Sequence, residues 1–314
     1  MSFGLNQVVG DYECLGIIEK PRSGLTYKVR NRKTGELEAL RALSRAETAD
    51  PDSMERLLRE MRVHARLSHD NLVGFHDAFE LDGQLVMTTD YVEGPTLAQQ
   101  CSGGPLPLDE ASDAVLQVLR GLEQAHELGI VHRGITADHV VLDRDGTVKL
   151  GGFDLAKPAS DTNLTKVGAV IGDPRYVSPE QVAGRPPVDS RSDLYSVGVV
   201  LYFALTGKAP FEGTSDFDVL SAHVSSTPAP PSVVNPAIPA EMDAVVLKAL
   251  EKNPDARFAT CQEFETALAD AAQGAATEPA AAAEPAPSRS LAPRAILCLA
   301  AFLAIAGGLW MALR

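Results

Sequence analysis

Two short stretches carry the residues best suited to chemistry. "VHRGITADHVVL", residues 131–142, holds His132, Arg133, Asp138 and His139. "GGFDLA", residues 151–156, adds Asp154. Carboxylates in such loops can bind a hard cation or orient an attacking hydroxyl. A lone imidazole such as His139 is a poor ligand for Mg²⁺. The four cysteines, Cys14, Cys101, Cys261 and Cys298, show no C-x-x-C spacing. They read as free thiols, not as a disulfide frame or a zinc site.

The elements around these stretches set the frame. The chain has 314 residues, enough for one large two-lobed domain with a sizeable core. Its formal charge is 28 − 42 = −14. A nucleic-acid surface is not expected, because phosphate contacts need clustered Lys and Arg. The N-terminus, "MSFGLNQVVGDYEC", lacks the basic start and apolar run of a signal peptide. Residues 273–294 are rich in Ala and Pro and read as a linker. Residues 295–313, "AILCLAAFLAIAGGLWMAL", are uncharged and would make roughly 28 Å of helix, close to a bilayer core. A single transmembrane helix is expected there, with the body cytoplasmic and the C-terminus outside. Arg289 and Arg294 on the near side agree with the positive-inside tendency.

Within the body, the first part is strand-rich. "YECLGII", "LTYKVRN" and "GELEALRAL" are β-leaning runs, and "FELDGQLVMTT" carries a hairpin signal at Asp82-Gly83. A helix is predicted over 51–67, capped by Asp50 with Pro51 in its first turn. The second part is mostly helical. "DEASDAVLQVLRGLEQAHELG" ends on Gly129, and "SDLYSVGVVLYFALTG" is apolar almost all round, as a buried central helix would be. "EMDAVVLKALEKN" and "CQEFETALADAA" are later amphipathic helices, and "VVLDRDGTVKLGGF" is another hairpin. The fold class is α+β: a small antiparallel lobe with one helix, and a larger helical lobe.

In this order the motifs resemble those of the protein kinases, most closely the bacterial Ser/Thr kinases of eukaryotic type. "GDPRYVSPEQVAG" is similar to the end of an activation segment, with Ser178-Pro179-Glu180 in place of A-P-E. "DSRSDLYSVGVVLYFALTGKAPFEG" resembles the central helix and its following loop, and "ALEKNPDARF" the motif whose arginine pairs with the A-P-E glutamate. The resemblance implies a two-lobed kinase fold over 12–272, with a small lobe about 12–90, a large lobe about 91–272 and an N-terminal tail over 1–11. It implies that Arg257 pairs with Glu180, that Asp193 holds the catalytic-loop backbone, and that His132 is a packing residue. Ala39, Arg41, Glu60, Asp90 and Val92, with Gly24 of the Gly-rich loop and Tyr91 of the hinge, become candidates for a nucleotide pocket.

Phosphoryl transfer needs positioned phosphates, a metal to offset charge and a group to orient the hydroxyl. The sequence departs from the family at each. Glu19 and Pro21 stand at the first two loop glycines, leaving Gly24. Pro21 has no N–H to donate, and Glu19 would face phosphate with like charge. Arg41 stands for the strand lysine and keeps Glu60 as partner, a pair read as stabilising the fold. Gly134 replaces the catalytic aspartate, Thr136 the following lysine and His139 the metal-binding asparagine. Gly152 replaces the metal-binding aspartate, Phe153 is kept and Asp154 takes the glycine position. Asp173 stands where Ser/Thr kinases carry a threonine. Thr165 lies near the usual phosphothreonine, with Arg133 as a partner for it; an ordinary loop threonine is the simpler reading.

The expectation is therefore a membrane-anchored pseudokinase, docking a protein partner such as an active kinase or its substrate. No cofactor is expected, ATP binding would be weak, and no bound Mg²⁺ is expected. Two alternatives stay open: an atypical active Ser/Thr kinase using Asp138 or Asp154 in unusual roles, and a nucleotide-binding switch without phosphotransfer.

Overall fold

Period-two burial builds the first lobe. In Leu37–Ala42 (β4), Leu40 and Ala42 face one core with Tyr27, Val29 and Val86. Ala39 and Arg41 alternate to the other face, the side of the cleft. β4 lies in a six-stranded antiparallel sheet with Val8–Val9 (β1), Tyr12–Glu19 (β2), Leu25–Asn31 (β3), Phe75–Leu81 (β5) and Gln84–Asp90 (β6). The order is β1-β2-β3-β4-β6-β5. The stretch expected to be an N-terminal tail thus contributes β1, because Val8 and Val9 register with Glu13 and Tyr12 and Val9 is buried.

The computed structural model describes residues 4–19, 25–43, 50–81, 83–158, 172–184 and 188–277. Gly24, Pro21, Thr165 and the apolar stretch 295–313 lie outside these. Met1–Ala276 forms one compact unit and Thr277–Arg314 a second. Among the described residues no helix is long and apolar enough to cross a membrane. Cys14, Cys101 and Cys261 are free and buried.

The small lobe's helix, Pro51–His64 (α1), starts where Asp50 accepts a hydrogen bond from the Ser53 N–H and Pro51 supplies the first turn. Leu57 and Met61 pack against Leu43 and Met87 on the cleft-side face of the sheet. The helix ends three residues before its predicted boundary. The Leu67 N–H bonds to the His64 carbonyl, an i to i−3 contact that tightens the chain out of α geometry while keeping Leu67 buried.

The large lobe forms around two helices, Leu97–Gln100 (α2) being a single turn before them. Leu108–Glu127 (α3) opens with Asp109 and Glu110 and buries one face. Pro179–Ala183 (α4) precedes Ser190–Thr206 (α5), which is buried on nearly every side, as its lack of a polar face predicts. Between them lie Ile130–Val131 (β7), the hairpin Val140–Leu142 (β8) with Val148–Leu150 (β9), and Lys157–Pro158 (β10) paired with β7. Asp216–Ser225 (α6), Pro231–Val234 (α7), Ala240–Ala249 (α8) and Cys261–Thr277 (α9) complete the lobe. The α9 helix runs on through residues expected to begin the linker. Its "AAQGAAT" end has no proline, and alanine is the strongest helix former.

Two buried polar groups tie the large lobe together. Arg257, its side chain fully buried, donates from Nη1 and Nη2 to both carboxylate oxygens of Glu180, each at 2.8 Å. Burial alone would raise the Glu180 pKa, but the Arg257 contacts and the Ser192 hydroxyl bring it below the ordinary carboxylate value. Arg257→Met strands that carboxylate and is expected to cost about 3–5 kcal/mol in urea unfolding. Pairing it with Glu180→Leu should recover part of the loss.

His223 anchors α6. It is buried between the Tyr195 hydroxyl at 2.7 Å and the Arg175 carbonyl at 3.1 Å. Burial first, then the charge of Lys252, lowers its pKa to about 4. The unfolded chain takes up this proton near 6.5 and the folded chain does not. The contribution is thus complete above pH 6.5 and is lost as pH falls toward 4. Unfolding free energies at pH 7.5, 6 and 5 should fall with acid in the native chain, and less steeply in His223→Phe.

Candidate functional site

The cleft between the two lobes has a volume of about 860 Å³. Its back wall is an ion pair. Arg41 projects from β4 and Glu60 from α1, and Nη1 meets Oε1 at 2.5 Å with both side chains nearly buried. Ile18, Thr26 and Ala39 roof the cleft, and Asp90, Tyr91 and Val92 form its connecting edge. Asp90 is itself clamped. Its carboxylate accepts from the Gly74 N–H at 3.0 Å and Lys149 Nζ at 3.1 Å, and meets His76 Nε2 at 2.8 Å. Burial pushes its pKa up; the His76, Gly74 and Lys149 contacts outweigh that and hold it low.

The floor is the 131–142 loop. Buried Asp193 on α5 accepts from the backbone N–H groups of His132 and Arg133, both at 2.8 Å, and contacts His126 Nε2 at 2.8 Å. Arg133 is held at φ +65°, a region that side-chain-bearing residues seldom adopt. Its carbonyl accepts from Gln181 of α4 at 2.9 Å. His132 is fully buried, with Nε2 2.9 Å from the Gly151 carbonyl and its ring 4.3 Å from that of Phe153. His64 meets the other side of this column, edge-on to Phe153 at 5.3 Å. Burial lowers the pKa of both histidines, to about 4 for His64, so both rings are neutral.

Gly134, Thr136, His139 and Gly152 line the cleft together, with Asp138, Asp154 and Asp173. The space a metal-binding carboxylate would need is taken. Gly152 has φ +77°, and a Cβ added there would lie 2.5 Å from His139 Cγ. The imidazole is fixed by a 2.7 Å hydrogen bond between Nδ1 and the Gly134 carbonyl. Asp173 is engaged by Arg175 through Nε and Nη2, contacts that lower its pKa against the effect of burial. Among the described residues no group of three His, Cys, Asp or Glu side chains could hold a metal ion. Mg²⁺ asks for near-octahedral oxygen ligands. The residues present do not fit it.

Ion-paired wall, hinge, loop held from α5 and Glu180–Arg257 tie occur here in one chain, and a family model described as "Protein kinase domain" matches residues 12–268. The chain belongs to the protein kinase family. Its relatives are bacterial Ser/Thr kinases of eukaryotic type. It is 37% identical over 262 residues to a probable serine/threonine-protein kinase of Streptomyces coelicolor, covering 81% of this chain and 39% of that one. It is 39% identical over 225 residues to the serine/threonine-protein kinase PknB of Mycobacterium leprae, covering 70% of this chain and 36% of the relative. The chain therefore spans well under half the length of these two relatives. Among solved structures, the Mycobacterium tuberculosis PknI kinase domain superposes with a TM-score of 0.66 at 28% identity, covering 86% of this chain and all of that one.

Sequence reading singled out Ala39, Arg41, Glu60, Asp90 and Val92, and the structure brings all five to the cleft. It did not single out His64, although a position one helical turn beyond Glu60 shares that face of α1. It also missed the Asp90–Lys149 and Asp173–Arg175 contacts. The first joins residues 59 apart and leaves no local signal.

The packing of His139 on Gly152 makes a metal test possible. Gly152→Asp alone should fail to bind Mn²⁺, because its Cβ meets the imidazole, and His139→Asn alone should fail for want of a carboxylate. The double variant should bind Mn²⁺, seen by electron paramagnetic resonance. Binding by either single variant would refute the reciprocal fit.

Proposed function

We propose that this chain is a kinase-fold regulatory module that does not transfer phosphate. The observation that carries this reading is the His139 imidazole lodged over Gly152, beside a Gly134 that has no acid to offer. Loss of a positioned acid or base typically costs ~10²–10⁴ in rate. Here the metal-binding side chains and the steadying lysine are replaced as well, although such losses do not simply add. A kinase ordinarily turns over at ~1–100 s⁻¹.

In this reading the retained architecture serves docking. The partner is a protein, either an active kinase or its substrate, and nucleic acid is not a partner. ATP binds weakly and without Mg²⁺. Residues 295–313 anchor the chain as a single transmembrane helix, with the kinase domain on the cytoplasmic side and the C-terminus outside; the Ala- and Pro-rich segment before them is the tether.

The competing reading is an active Ser/Thr kinase. Its relatives carry that name, and Asp138 and Asp154 both line the cleft, where either could take an unusual role. Incubation of the full chain with labelled ATP, a generic protein acceptor and either Mg²⁺ or Mn²⁺ separates the two. The expected result is no incorporation above a blank. Sustained transfer that Asp138→Asn or Asp154→Asn abolishes would overturn the proposal in favour of the active kinase.

A further inference from the structure

The cleft extends beyond the ordinary reach of its hinge. Thr89, the residue before the hinge, is small, and past it the cavity wall is formed by Met87, Val73, Glu60 and His64. His64 is 3% exposed, and its Nδ1 has no hydrogen-bond partner. A buried polar atom left unmatched costs roughly 1–3 kcal/mol, so such atoms call for an explanation. The ring's other nitrogen is accounted for. A hydrogen bond to the Val73 backbone favours a proton on the ring, which places that proton on Nε2 and leaves Nδ1 as a lone pair. The ring is also held in place, by its edge contact with Phe153 and its position at the end of α1.

The surroundings select the ligand. At the back, Glu60 is matched by Arg41, so neither charge asks for a counterion. At the front, Ile18, Ala39 and Val141 offer apolar surface to a flat ring. At the far end, Asp138 and Asp154 face the space where phosphates would lie, and no metal cradle offsets them. Anions are disfavoured there. A volume of about 860 Å³ suits a ligand larger than a bare nucleobase.

We infer that the cleft binds an uncharged, flat heteroaromatic ligand whose substituent passes Thr89 and donates a hydrogen bond to His64 Nδ1. The inference rests on the reading that Mg²⁺-bound ATP is not the natural occupant. Adenine, N6-benzyladenine and N6-(3-hydroxybenzyl)adenine probe it, titrated calorimetrically into the full chain. The hydroxybenzyl compound should bind roughly three- to tenfold tighter than the benzyl compound, the worth of one buried hydrogen bond. Its methyl ether, which cannot donate, should lose that gain. In His64→Leu the hydroxyl and benzyl compounds should bind alike. Equal affinities in the native chain, or no binding by either extended probe, would overturn the inference even if the variant failed to fold. A separate titration with ATP and Mg²⁺ tests the underlying reading. Binding tighter than that of adenine would sink that reading while leaving the hydroxyl comparison to be judged on its own.

Discussion

One buried carboxylate fixes the floor of the cleft. Asp193 is 1% exposed, yet it keeps its charge, because two backbone N–H groups and His126 converge on it. Burial alone would raise its pKa; these contacts hold it below the ordinary value. The contacts also hold Arg133 in a left-handed backbone conformation that costs of order 1–3 kcal/mol and persists only when over-determined. Gln181 supplies a second restraint from α4, which Arg257 in turn secures through Glu180. None of these ties uses the side chains at 134, 136 or 139. The loop can therefore lose its chemistry and keep its shape.

The same separation runs through the rest of the site. Arg41 and Glu60 keep α1 against the sheet because breaking a buried pair leaves a charge without compensation. The column of His64, Phe153 and His132 rings carries that position down to the loop. What has changed is confined to the points that would touch phosphate and metal. There the changes are mutually adapted: the glycine at 152 makes room for the ring at 139, and the carbonyl of Gly134 orients it.

The fold was legible because its elements announce themselves locally. The i, i+4 pair of Leu57 and Met61, the all-round apolar character of α5 and the Asp-Gly turns each follow from spacing or turn chemistry. Long-range ties are another matter. Glu180 and Arg257 stand 77 residues apart, and only the family resemblance pointed to their meeting. The resemblance also marked which catalytic residues were missing, but an absence does not say what fills the space. That His139 takes the volume above Gly152 needed coordinates. The misplaced boundaries have a similar cause. Composition marked the Ala-rich run after Ala272 as linker, although alanine continues a helix readily, and β1 is too short to show a period.

The electrostatics of the cleft follow from these replacements taken together. In a metal-dependent kinase the cation offsets carboxylates and phosphates at once. Here one carboxylate, Asp173, is matched by Arg175. The removal of an aspartate at 152 relieves part of the remaining negative charge, and the removal of a lysine at 136 takes away a positive one. Asp138 and Asp154 still face the opening. At the rear, by contrast, the Arg41–Glu60 pair is internally balanced, and its neighbour His64 is neutral. The cleft thus has a front that opposes anions and a back that is polar without net charge. A ligand that follows this gradient carries its polar group inward and no charge outward, the reverse of a nucleoside triphosphate.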